Sequence, residues 1–267
     1  MAVLEDGSLP GGPRIALVPL EGIIVDADDL VRELRAHQEN RAVRAVVLRI
    51  NSPGGVVAPT QEIFAAVQRL RAAGKPVMSS LGSVAASGGY YVATATERIY
   101  ANPGTLTGSI GVVMQMANVE GLLKKVGVDY VVVKAGRFKD VGNMSRAMTP
   151  EERQILQTLL DDVYEQFVGA VASGRKLDRD AVRRFADGRI YSGQQALGLK
   201  MVDQLGGLED AILAAGKAAG IEGRPKVLLP RRRISLIDLV RNELGLGKMT
   251  PLLPALPTLR TPLYLMD

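Results

Sequence analysis

The chain of 267 residues has no cysteine, no tryptophan and one histidine. Without cysteine it can form no disulfide, no thiol nucleophile and no zinc site built on thiolates. With His37 as the only imidazole, a multi-histidine metal site within one chain is excluded, and neither a metal nor a cofactor is expected. Aromatic residues make up only 4% and do not interleave with a lysine/arginine stripe, so no nucleic-acid partner is expected. No run of about eighteen apolar residues occurs, so no transmembrane helix is expected. Residues 1–13 carry acids, glycine and proline and do not read as a signal peptide. Hydrophobic residues make up 47%, enough for a sizeable core in one large domain or two small ones. The net charge is only +5, with its densest spot at Arg231-Arg232-Arg233.

The pattern along the chain predicts an α/β protein. Residues 14–25 are β-rich, and 26–37 read as a helix capped by Asp26, with His37 at its polar end as a solvated residue. Residues 44–50 fit a buried parallel strand that ends at a turn, Asn51-Ser52-Pro53-Gly54-Gly55. A helix over 59–73 and a strand over 77–81 follow, then a short helix from Tyr90. This alternation argues for a sheet covered on both faces, and ligands of such sheets gather at the C-terminal ends of strands. The Gly54-Gly55 turn and Ser87 both fall at such ends. Further on, strands are expected at 98–101, 130–134 and 226–229, with a Gly-punctuated β-prone run at 105–113. Helices are expected at 119–126, 149–172, 178–185, 192–199 and 208–219. Thr149 and Glu152 fit a capping box with Pro150 at the first helical position. The domain reading is a lead-in (1–13), a catalytic domain (14–230) and a tail (231–267). That tail combines a basic amphipathic stretch, 234–244, with a Pro/Leu-rich end. The basic stretch fits a surface helix, with peripheral contact to an anionic membrane as the functional option.

Chemistry centres on Gly82-Ser83-Val84-Ala85-Ala86-Ser87-Gly88-Gly89-Tyr90-Tyr91. Ser87 lies between a strand and a helix N-terminus, flanked by residues small enough for a substrate backbone to come close. The Gly88 N–H could face a developing oxyanion at that helix end. Read alone, the stretch equally fits a tight turn in which Ala and Gly serve packing. A serine needs a base. His37 is badly placed and thiols are absent, which leaves a lysine. A free lysine titrates near 10.4, so holding it neutral near pH 7–8 takes about 4 kcal/mol of bias. Lys139, beside Phe138 and Val141 past a predicted strand, fits best, with Lys134 as the runner-up; Asp140 must then point away. A second oxyanion donor could come from the Pro53-Gly54-Gly55 turn, with Gly54 the first choice and Gly55 the second.

Four motifs in order carry a family resemblance. These are Asn51-Ser52-Pro53-Gly54-Gly55, Ala85-Ala86-Ser87-Gly88-Gly89-Tyr90-Tyr91, Gly104-Thr105-Leu106-Thr107-Gly108-Ser109-Ile110-Gly111 and Lys139-Asp140. Together they resemble the short, single-catalytic-domain form of bacterial signal peptide peptidase A over about residues 14–222. The resemblance implies a Clp-protease/crotonase-like fold of repeated ββα-type units with additional C-terminal helices. It implies a Ser–Lys dyad with Ser87 as nucleophile, Lys139 as base, Ser109 orienting the lysine and Gly54 in the oxyanion hole. It further implies apolar peptide substrates such as residual signal peptides, a ring- or dome-shaped homo-oligomer, and work at the extracytoplasmic face of the cell membrane. No anchor or signal is read in this chain, so a cytoplasmic site is the alternative. Rival functions are a related membrane-associated Ser–Lys protease that cuts membrane-protein tails, a crotonase-type acyl-CoA enzyme, and an inactive oligomeric scaffold. The tail beyond Pro230 is a candidate substrate-like ligand.

Overall fold

The computed structural model describes residues 12–230 and the backbone of 263–265. The first half is a run of parallel strands and crossing helices: β1 (Arg14–Ile24), α1 (Asp28–Glu39), β2 (Val43–Val56), α2 (Val57–Ala72), β3 (Val77–Ala86), α3 (Gly88–Ala93), β4 (Arg98–Ala101) and β5 (Leu106–Gly108). Then come α4 (Glu120–Lys125), α5 (Pro150–Arg175), α6 (Arg179–Arg183), β6 (Ile190–Ser192), α7 (Gly193–Gly198), β7 (Gln204–Leu205), α8 (Leu208–Ala218), β8 (Lys226–Leu228) and β9 (Leu263–Leu265). The described strands form one sheet, ordered β6-β5-β3-β2-β1-β8, with β4 branching from β3 and β9 pairing with β2.

β2 carries Ala45 and Val47 on one face and Val46, Leu48 and Ile50 on the other, all buried. The Val46 face packs with Leu34 of α1, with Ile63, Val67 and Leu70 of α2, and with Phe167 and Val171 of α5. The Val47 face packs with Ala211, Ile212 and Ala215 of α8. A sheet covered on both sides explains the near-continuous apolar strands.

Three features depart from the sequence-based expectation. β2 does not stop at Asn51 but runs through Pro53-Gly54-Gly55 to Val56. Its pairing with β1 slips between Glu21 and Ile23, and resumes with Ile23 opposite Gly54 and Ile24 opposite Gly55. Proline is tolerated in a strand where the ladder is interrupted and its missing N–H is not needed. Residues 130–134, expected as a strand, lie in no ladder among the described residues. Val131 and Val133 are 81% and 96% exposed, and a strand without a neighbour has no partner for its backbone. Asp26 does not cap α1, whose first turn has no side-chain cap. The capping box at α5 is present in full: Thr149 and Glu152 exchange hydrogen bonds, with Pro150 at the helix start. The basic stretch 234–244 lies outside the described residues. No described helix is long and apolar enough to cross a membrane.

Candidate active site

β3 ends at Ala86 and α3 begins at Gly88, so Ser87 alone makes the turn between them. Its backbone has φ 50° and ψ −118°, a region that costs a residue with a Cβ. Strand-to-helix turns under this strain are how α/β-hydrolases present a nucleophilic serine. Ser87 is the N-cap residue of α3, where a serine hydroxyl usually accepts a backbone N–H. Here it makes no such bond. The Ser87 Oγ is buried and has no hydrogen-bond partner among the described residues. A buried orphan hydroxyl is costly enough to call for a use outside the fold.

Two neighbouring strands arrange the surroundings. The Ser87 N–H donates to the Gly108 carbonyl at 2.8 Å, continuing the parallel pairing in which Ala86 faces Gly108. Ser109 therefore lies beside Ser87, buried, and also with a positive φ of 49°. It borders a groove of about 880 Å³ lined in part by Ile110, Val112, Leu160, Tyr164 and Ile190. On the other side, Ser52 of β2 pairs with Ala85, two residues before Ser87. This brings Gly54 and Gly55 of β2 against α3. A Cβ on Gly88 would lie 2.9 Å from Thr60 Oγ1 and 3.2 Å from both Gly54 Cα and Gly55 N. Gly88 occupies the first position of its helix, where an N–H has no intrahelical acceptor. Gly54 has φ 108°, open only to glycine, and its N–H donates to the Ser52 hydroxyl at 3.1 Å.

Ser87, Gly88, Gly54, Gly55 and Ser109 are thus brought together. Lys139 is not. It is exposed, in a turn over 136–142, and it makes no hydrogen bond to Ser87. Asp140 does turn away from it: its carboxylate takes Lys134, and Arg146 at 3.1 Å. Lys134 above all, with Arg146, holds that carboxyl below the ordinary carboxylate range. Arg146 also binds Glu152 at the N-terminus of α5, which lowers the Glu152 carboxyl to about 2. Lys134, the alternative base, is therefore an ion-pair partner of Asp140. His37 sits in the last turn of α1, near Glu33, at the opposite end of the strands from Ser87, and is largely covered rather than solvated.

Comparison with known proteins decides the family. The model of peptidase family S49 matches residues 69–222, which span Ser87, Ser109 and Lys139. The chain belongs to peptidase family S49. This S49 chain is 44% identical over 211 residues to a putative protease of Synechocystis, covering 78% of its own length and 76% of that protein. It is 35% identical over 222 residues to a putative signal peptide peptidase SppA of Enterococcus faecium, and spans 64% of it. Protease 4 of Salmonella typhi is 36% identical over 220 residues, but the S49 chain spans only 35% of that longer relative. The mixed α/β sheet agrees with the Clp-protease-like fold of the family. An S49 chain with such relatives is an SppA-type serine protease.

Two features were not visible in the sequence. One is β9, since nothing local in Leu263–Leu265 marks a strand whose partner lies about two hundred residues away. The other is Ser52, which reads as part of a turn motif until its hydroxyl is seen on Gly54.

Proposed function

We propose that this chain is a serine endopeptidase that cleaves extended apolar peptides through a Ser87–Lys139 dyad. The observation that carries the reading is the unpartnered Ser87 Oγ on a strained turn, with Gly88 packed against Gly54-Gly55. Ser87 Oγ attacks the scissile carbonyl while the Lys139 amine takes its proton. The carbonyl electron pair moves onto oxygen, which accepts hydrogen bonds from the Gly88 and Gly54 N–H groups, with Gly55 the alternative second donor. Collapse expels the amine, which takes the proton from Lys139 and leaves an acyl-enzyme on Ser87. Water, deprotonated by the lysine, then releases the acid and restores both groups.

A lysine serves as a base only where water is stripped from it. Lys139 is exposed in the single chain, and so are Leu122, Val126, Tyr130, Val131 and Val133 on the same segment. An apolar surface of this kind beside an incomplete site favours a second copy of the chain as its cover. In the homo-oligomer so formed, Lys139 of one copy meets Ser87 and Ser109 of the next. Ser109 borders the open groove and would hold the incoming amine.

The substrate adds a strand. β9 pairs antiparallel with β2, with Leu263 opposite Val56, Tyr264 opposite Gly55 and Leu265 opposite Gly54. An extended peptide in that place runs its backbone past the oxyanion donors, which favours a peptide over an acyl-CoA thioester. The same strand supports the tail as a substrate-like ligand. Leader fragments left in a membrane are apolar and extended, and so fit as natural substrates. That reading puts the enzyme at the extracytoplasmic face of the membrane. A fluorophosphonate probe tests the site: it should label the wild-type chain at Ser87, and Ser87→Ala or Lys139→Ala should abolish cleavage of an apolar peptide. Labelling elsewhere, or full activity in either variant, defeats the reading.

A further inference from the structure

Ser52 touches both halves of the oxyanion cradle. It is fully buried, and its hydroxyl accepts the Gly54 N–H at 3.1 Å. Its carbonyl oxygen would lie 2.8 Å, and its Cβ 3.4 Å, from a Cβ on Gly89, so it packs against the residue just after the second donor. It is also the last β2 residue paired with β3, through Ala85.

Gly54 is paired with Ile23 of β1 and Leu265 of β9, and the side chain that meets its N–H is that of Ser52. Pro53 supplies no N–H to tie the turn down. Gly54 has no side chain, and its φ of 108° lies in a region open to wide rotation of the peptide plane. The pairing with β1 slips just here, between Glu21 and Ile23. A donor that must meet an oxyanion needs its aim fixed before the reaction, because reorientation during attack forfeits the gain.

We propose that Ser52 is a positioning residue for the oxyanion hole: by accepting the Gly54 N–H, its hydroxyl fixes the Gly54 peptide plane so that a substrate oxygen can share that N–H without the plane turning. This rests on the proposed role of Gly54 in the Ser87 site. In the free enzyme the buried N–H is satisfied by a neutral hydroxyl. As Ser87 attacks and negative charge builds on the carbonyl oxygen, that oxygen joins the Ser52 hydroxyl as a second and stronger acceptor of the same N–H, with no turn of the peptide plane. The interaction with substrate is then greatest in the transition state, so Ser52 acts on kcat more than on KM.

The test compares Ser52→Thr with Ser52→Val in the full chain, using a fluorogenic apolar peptide. The two side chains fill the same volume and both suit a strand, but only threonine keeps the hydroxyl. Threonine should keep kcat within about threefold of wild type. Valine should lose about 10- to 100-fold in kcat, below the about 10²- to 10³-fold that removal of a donor costs, with KM within about twofold. A peptide aldehyde, which forms a tetrahedral adduct on the serine, should bind the valine variant more weakly by a similar factor. Packing alone would not produce that match. Equal kcat for the two variants, or a threonine variant as slow as valine, overturns the proposal. Ser87→Ala is the separate control: if it retains activity, the site reading itself falls, whereas an inactive Ser87→Ala with equal Thr and Val rates removes only the role of Ser52.

Discussion

At the scale of single residues, the site is made by what side chains do not do. A serine at a helix N-cap ordinarily spends its hydroxyl on the backbone, yet that of Ser87 remains unbonded and buried. Gly88 likewise matters for the atom it lacks. Alanine there would set a Cβ 2.9 Å from Thr60 Oγ1 and 3.2 Å from two atoms of the facing turn. Gly88 and the Gly54-Gly55 backbone would be forced apart, while the fold, anchored by the β2–β3 ladder, should hold. Gly88→Ala should therefore lower kcat by about 100-fold or more with an unchanged circular dichroism spectrum. A kcat near wild type would show that Gly88 is not a donor. The placement of Ser87 and Gly88 between a strand and a helix was legible in the sequence because the signal is local: small residues around a serine. The backbone strain at Ser87 was not, because φ is imposed by the Gly108 carbonyl and by α3 packing on Gly54, neither of which is adjacent in the chain.

At the scale of elements, the alternation of strands and helices through residue 101 was legible, since each buried strand shows a short apolar run and each helix an apolar stripe. Pro53-Gly54-Gly55 misled because proline and glycine mark turns in most chains, whereas here β1 resumes its pairing across them. The start of α5 was read correctly, and the structure adds what holds it. Glu152 is both the capping-box partner of Thr149 and the buried acceptor of Arg146, itself bonded to Asp140. Because Arg146 holds the Glu152 carboxyl down to about 2 from an ordinary 4.5, the charged state favours folding. That contribution is fully present above about pH 4.5 and is lost as the pH falls through about 2. Glu152→Gln keeps the cap, since glutamine also closes a capping box, but removes the charge. Thermal melts should show wild type losing stability on acidification across this window and the variant changing less. Parallel curves would remove Glu152 as the titrating group. A second expectation follows from β9, which covers the β2 edge beside Gly54. Deleting residues 263–267 should lower KM for a peptide substrate severalfold by freeing that edge. An unchanged KM would show that the segment does not compete with substrate.

At the scale of the molecule, the sequence and the single chain part company over Lys139. The sequence places Lys139 beside apolar neighbours and predicts a strand before it, which together suggest a sheltered base. In the chain by itself the strand has no ladder, Val133 is almost wholly exposed and Lys139 faces water. Both mismatches fit the proposed assembly, in which another copy supplies the interior for a segment that has the composition of one. Sequence patterns report that a residue is to be buried, not which chain buries it. This gives a test that needs no assembled structure. Ser87→Ala and Lys139→Ala chains should each be inactive alone. If each site takes its serine from one copy and its lysine from the next, co-refolding the two variants in equal amounts creates some sites with both groups intact, about a quarter under random assortment. Activity should then return to roughly that fraction of wild type, and should depend on subunit exchange. If the dyad forms within one chain, every site in the mixture lacks one group and no activity returns. Complementation would separate the two arrangements while leaving the roles of Ser87 and Lys139 to the single variants. It would also explain why the exposed valines of residues 131–133 are kept apolar, since replacing Val133 with aspartate should then cost activity and assembly together.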